Sequence, residues 1–233
     1  DPARRPGPRG GRRATRAGAK TLAVTNTLGS TVTREADEAV FIRAGPEIGV
    51  AATKTFCSQV AALSLLAVSI GRARRALSAT AARELLSDLR GLPGAVQQVL
   101  DQTDDIRRVA EVYADRDGFF FIGRRLGVPV ALDGALKLKD ISYDNAEGFP
   151  AGELKHGPLA LVTSETPILA ILTAGSNADE TLNNVKEVEA RGAPVIGCRT
   201  ATRGETGKFV SQAFEVPELG EFEPLVANVV LQL

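Results

Sequence analysis

From Lys20 onward, short apolar runs alternate with stretches whose apolar positions recur every three to four residues. Thr21–Thr25, closed by Asn26 and Gly29, predicts a buried parallel strand, and Val40–Arg43 predicts the next. The glycine-rich stretch Ala44–Lys54 then leads into a helix whose apolar face runs through Phe56, Val60, Leu63 and Ala67. Residues 72–117 read as amphipathic helix on either side of a break at Gly91-Leu92-Pro93. Gly118–Gly123 is a buried strand ending in glycine, followed by a helix from about Val128 to Asp144. Further strands are expected at Pro167–Leu172, Pro194–Cys198 and Ala213–Val216, with helices near Ala178–Arg191 and Thr206–Ser211 and a last helix starting at Pro224. Strands alternating with helices give an α/β fold with a doubly wound parallel sheet, in which ligands bind beyond the carboxyl ends of the strands.

This texture sets the organisation. Residues 1–19 are dense in Arg, Pro and Gly without a period, and are expected to be an irregular basic tail. The 233-residue chain then divides into 20–71, the later half of one domain, a helical connector at 72–117, and a second domain at 118–233. Net charge is zero, yet residues 1–20 carry six arginines and Lys20 against Asp1, so the rest is acidic. No aromatic side chain is interleaved with those arginines to stack on bases, so nucleic acid is not expected as a partner. Cys57 and Cys198 are too few for a disulfide framework, and neither sits at metal-ligand spacing, which suits a reducing, cytoplasmic setting. The apolar stretch Val60–Ile70 contains Ser64 and Ser69 and is expected to be too short for a membrane span. No apolar core of a signal peptide follows the N-terminus.

Candidate chemistry gathers in two places. On a helix, Lys137 and Asp140 project from one face with Asp133 a turn earlier, which suits a charge stabiliser beside a proton carrier, or equally a plain ion pair on a helix surface. His156, the single histidine, lies in Gly152-Glu-Leu-Lys-His-Gly-Pro158, where glycine and proline favour an irregular turn. Imidazole is the side chain matched to proton transfer near neutral pH, although a lone histidine is often structural. The loop before Lys54 feeds a helix N-terminus, whose free N–H groups can meet an anion or sugar oxygen.

Three segments, Ala44–Lys54, Asp133–Tyr143 and Ala151–Ala160, resemble signature stretches of the glutamine–fructose-6-phosphate aminotransferase (glucosamine-6-phosphate synthase) family, over about residues 20–233. The resemblance implies the family's C-terminal isomerase region, built from two flavodoxin-like sugar-isomerase (SIS) domains, here truncated. It further implies fructose 6-phosphate and ammonia as substrates and glucosamine 6-phosphate as product, without cofactor or metal. His156 would assist ring opening, Asp140 would move a proton between C1 and C2, Lys137 would contact the open-chain sugar, and Val50, Ala51 and Ala52 would line the substrate. A homodimer is implied, with the histidine reaching the other subunit's site.

The departures are specific. Asp140 stands where the family usually has glutamate, and Ala52 where it usually has serine. The family's serine-rich phosphate loop has no counterpart in residues 1–19, which read as out-of-frame translation of a G/C-rich gene. The glutaminase domain and the C-terminal tail are expected to be absent, leaving the fragment inactive alone. A sugar-phosphate-binding regulatory module, or a related phosphosugar isomerase or deglycase, shares the fold and stands as the alternative.

Overall fold

The computed structural model describes residues 7–173, 176–200 and 208–233. Contacts divide the chain into two units, Asp1–Ala82 and Arg83–Leu233.

In the first unit, helix α1 (Gly7–Arg16) precedes strand β1 (Leu22–Thr25), helix α2 (Thr31–Glu35), strand β2 (Glu38–Phe41) and helix α3 (Lys54–Ala73). The two strands pair in parallel, with Val24 opposite Val40. Residues 7–16 are therefore helical where an irregular tail was expected. Their arginines are good helix formers, Gly18 stops the helix at φ 79°, and the Arg12 guanidinium forks onto Glu35, with Nε 2.8 Å from Oε2. Helix α3 corrects a second expectation. At 20 residues and mean hydropathy 1.4 it is long and apolar enough to cross a membrane by length and composition alone, and Ser64 bonds back to the Val60 carbonyl within it.

Helix α4 (Ala79–Leu100) begins before the boundary and continues into the second unit, which further contains α5 (Thr103–Tyr113), β3 (Gly118–Gly123), α6 (Gly127–Ser142), β4 (Asn145–Pro150), β5 (Ile168–Leu172), α7 (Ala178–Glu189), β6 (Val195–Thr200), β7 (Gln212–Val216) and α8 (Glu223–Gln232). Among the described residues its strands form one parallel sheet in the order β4-β3-β5-β6-β7. Chain direction across the sheet reverses at β3, so the crossovers fall on opposite faces. Phe120, Ile122, Ala170 and Leu172 point to one face and bury against Leu182, Val185 and Val188 of α7. Phe119, Phe121 and Leu169 point to the other, where α5, α6 and α8 enclose an apolar cavity of about 370 Å³.

The expected break at Gly91–Pro93 is absent, and α4 runs through it. Pro93 leaves the Leu89 carbonyl without its helical donor, at a typical cost of about 3 kcal/mol, but Leu92, Ala95 and Val99 are buried and hold the helix in place. Gly91 serves packing: a Cβ there would lie 2.9 Å from Leu219 Cδ1. The helix expected at Thr206–Ser211 lies partly outside the described residues, and Ser211 leads into β7, its N–H bonded to the Val195 carbonyl at 2.7 Å. Strand β4, Asn-Ala-Glu-Gly-Phe-Pro, was not expected at all. Its composition is poor for a strand, yet it is an edge, where proline is tolerated. Gly148 lets α6 close down on it, since a Cβ would lie 2.8 Å from Leu132 Cα.

Candidate functional site

The loop before α3 is held by side chains at both ends. Asn26, just beyond β1, accepts from the Ala44 N–H at 2.9 Å and donates to the Gly45 carbonyl at 2.6 Å. Arg43 and Gly45 turn with φ 52° and 71°. At the other end the Glu47 carboxylate accepts from the Thr53 N–H at 2.8 Å, the Thr53 hydroxyl at 2.9 Å and the Thr55 hydroxyl. These hydrogen bonds, that of Thr55 foremost, hold the Glu47 carboxyl down at about 2. An acidic group at the start of α3 also favours the helix dipole. Between the two anchors, Val50 is 94% exposed and Ala52 is exposed, while Ala51 is buried. The stretch thus offers side chains and backbone to solvent on a fixed scaffold.

His156 ends a tight helical turn, Ala151–His156, that follows directly from β4. Ala151 and Leu154 are fully buried against the α7 face of the sheet, whereas Lys155 and His156 are exposed. Gly157, at φ 141°, reverses the chain into a second short turn, Pro158–Leu161. Among the described residues the imidazole has no hydrogen-bond partner, which leaves both ring nitrogens open to a ligand.

Lys137 and Asp140 lie on α6 as expected, but in different surroundings. Lys137 is 5% exposed, and its Nζ donates to Asp133 Oδ1 at 2.6 Å. Asp133 Oδ2 accepts from Asn228 Nδ2 of α8 at 3.0 Å. The surface ion pair considered for Lys137 is therefore a buried one, with Asp133 in place of Asp140. The reason is rotational: Asp133 and Lys137 are four residues apart, and α6 turns that stripe toward α8. Asp140 is exposed and carries no hydrogen bond or ion pair among the described residues. Asn228, buried with its Oδ1 unsatisfied, carried no signal beyond being polar in an apolar stretch.

The sheet does not bring the sets together. Helix α6, with Lys137 and Asp140, packs on the Phe119 and Phe121 face, and the His156 turn packs on the Phe120 and Ile122 face. The five-stranded sheet stands between them within one chain. Lys137 reaches the apolar cavity, but neither Asp140 nor His156 lines it, and its walls do not suit a sugar phosphate. Among the described residues no group of three or more His, Cys, Asp or Glu side chains forms a metal-ligand set.

Comparison with known proteins bears on these features. The SIS domain family model matches residues 10–69 and 113–215, beginning within the segment expected to be foreign. A glutamine–fructose-6-phosphate aminotransferase (isomerizing) of Halobacterium salinarum is 61% identical over 95% of this chain, and one of Thermus thermophilus 45% identical over 95%. The chain spans about 37% of the length of each. Among solved structures, the C-terminal domain of glucosamine-fructose-6-phosphate aminotransferase from Francisella tularensis superposes with a TM-score of 0.90 at 34% identity, over 97% of this chain and 64% of that one.

Proposed function

We propose, for a chain that belongs to the SIS domain family, that it is the isomerase part of a glucosamine-6-phosphate synthase and works as a cytoplasmic homodimer. Its substrates are fructose 6-phosphate and ammonia, and its products are glucosamine 6-phosphate and water. The relatives are named for glutamine as the partner of fructose 6-phosphate, so the ammonia derives from glutamine.

One observation carries the reading: a full-thickness sheet separates His156 from Lys137 and Asp140 in each chain, while both His156 and Asp140 are exposed and unpartnered among the described residues. Two copies are the simplest way to bring such groups to one substrate. The His156 imidazole donates a proton to the ring oxygen as the bond to C2 breaks. Ammonia then adds to the freed C2 carbonyl and water leaves. Asp140 removes a proton from C1 and returns one to C2, while the O1 hydroxyl gives up its proton and the nitrogen takes one, so that the imine becomes an amine beside a C1 aldehyde. The Lys137 ammonium, held by Asp133, steadies negative charge that builds on the sugar oxygens during that transfer. The Val50–Ala52 stretch contacts the sugar through its backbone.

Subunit mixing tests this. In the full-length enzyme, His156→Ala and Asp140→Asn should each lower turnover by roughly 10²–10⁴-fold. A mixture of the two, unfolded and refolded together, should recover a substantial fraction of wild-type activity, because mixed dimers contain one intact site. Two crippled variants with no recovery on mixing would refute the shared site.

A further inference from the structure

Helix α7 carries three polar side chains, Glu180, Asn184 and Glu187, at i, i+4 and i+7, which places them along one stripe of the helix. All three have partners beside the Ala151–His156 turn. Arg124, the residue after β3, donates from Nη1 to Glu180 Oε2 at 3.0 Å. Its Nε and Nη2 donate to Asn184 Oδ1 at 3.3 and 3.1 Å. The same guanidinium lies against Gly152, where a Cβ would stand 3.0 Å from Nη2. Three residues further on, Lys155 Nζ pairs with Glu187 Oε1 at 2.8 Å.

The turn is thus tied to α7 directly at Lys155, and the α7-bound guanidinium of Arg124 lies beside it at Gly152, with Leu154 buried between the two. His156 follows at once, and since its imidazole has no partner of its own among the described residues, the backbone beneath it sets its direction. The Glu180 and Lys155 contacts are partly exposed and contribute little stability. Asn184, 2% exposed, is different, because its carbonyl oxygen would lose its donor if Arg124 were withdrawn. A planar fork that reaches two acceptors fixes orientation as well as distance, which lysine cannot do.

We propose that Arg124 and the Glu180–Asn184–Glu187 stripe of α7 are positioning residues for His156, acting through Gly152 and Lys155. This deepens the reading of His156 as proton carrier, and its consequence for catalysis rests on that reading. The structural claim is checked separately. His156 is the chain's single histidine, so its Cε1–Hε1 signal in a carbon–proton correlation spectrum of the chain is unambiguous. Arg124→Lys and Glu187→Gln should each displace or split that signal by more than its linewidth, while Glu189→Gln, on an exposed position of the same helix, should leave it in place. Methyl signals of Ile168 and Val195 report that each variant is folded. A His156 signal unmoved in folded Glu187→Gln and Arg124→Lys overturns the positioning role whether or not the full-length enzyme turns over. Should Arg124→Lys fail to fold, Glu187→Gln decides alone. A displaced signal in a protein whose His156→Ala variant keeps full activity would support the positioning and count against the catalytic reading instead.

Discussion

Lys137 Nζ sits 2.6 Å from Asp133 Oδ1 on the next turn of α6, with both side chains nearly shut off from solvent. A buried pair of this kind contributes little net stability over an apolar substitute, but removing one partner alone is strongly destabilising. Asp133→Leu should therefore cost about 3–5 kcal/mol in urea unfolding, and Asp133→Leu with Lys137→Met should recover only part of the loss, because the buried Asn228 Nδ2 still lacks its acceptor. If Asp133→Leu costs less than about 1 kcal/mol, the pair is behaving like an exposed one.

The lock on the Val50–Ala52 stretch is pH-dependent in a defined direction. Glu47 titrates at about 2 in the folded chain against an ordinary 4.5, chiefly because the Thr55 hydroxyl donates to its charged form. Above pH 4.5 folded and unfolded chains are both ionised there, and the contribution is complete. As pH falls from 4.5 toward 2 the unfolded chain takes the proton first, so the stabilisation drains away across that window. A carbon NMR titration of the Glu47 carboxyl should show a midpoint near 2, and Glu47→Gln should remove the fall in the Thr53 amide's protection factor, relative to its intrinsic exchange rate, as pH drops through that range. A midpoint at 4.5 would mean that the Thr53 and Thr55 bonds do not form in solution.

The two thiols should separate cleanly. Cys198 lies within β6 and is fully buried, and burial pushes its thiol up to about 12, so almost no thiolate exists near neutrality. Cys57, near the start of α3, is partly exposed. Mass spectrometry after brief treatment with an alkylating reagent should find one adduct on the native chain, on Cys57, and two in urea. Rapid native labelling of Cys198 would contradict its placement in the sheet.

Much of this architecture is written in local patterns. The runs at Gly118–Gly123 and Pro167–Leu172 are apolar enough to be buried on both faces, and the three-to-four spacing of α7 and α8 leaves little choice of element. Strand β4 was invisible because its pairing with Phe119–Gly123 and its closeness to α6 are nonlocal, while its own residues favour turns. Continuation of α4 through Pro93 was hidden for the same reason, since burial of Val99 and Ala95 outweighs a local penalty. For the site, residue types and family-like segments pointed to Lys137, Asp140 and His156, but neither could say that Lys137 would be spent on Asp133 or that the sheet would divide the set. Those facts belong to helix rotation and to the handedness of crossovers, which only the assembled fold decides.

Two glycines should respond to the same substitution with opposite sign. Gly94 lies inside α4, has an ordinary backbone angle, and nothing stands within 4 Å of a Cβ built on it. Gly94→Ala should stabilise the chain by about 0.5–1 kcal/mol, because alanine gives up less backbone freedom on entering a helix. At Gly148 the added Cβ would meet Leu132 Cα at 2.8 Å and Leu132 N at 2.9 Å, both backbone atoms that no rotamer change can move aside. Gly148→Ala should therefore force β4 away from α6 and cost about 1–3 kcal/mol. Because β4 runs directly into the Ala151–His156 turn, the same change should also disturb the His156 imidazole signal, whereas Gly94→Ala should not. Thermal unfolding of both variants beside that spectrum checks the pair, and a neutral Gly148→Ala would show that α6 and β4 sit further apart than these contacts require.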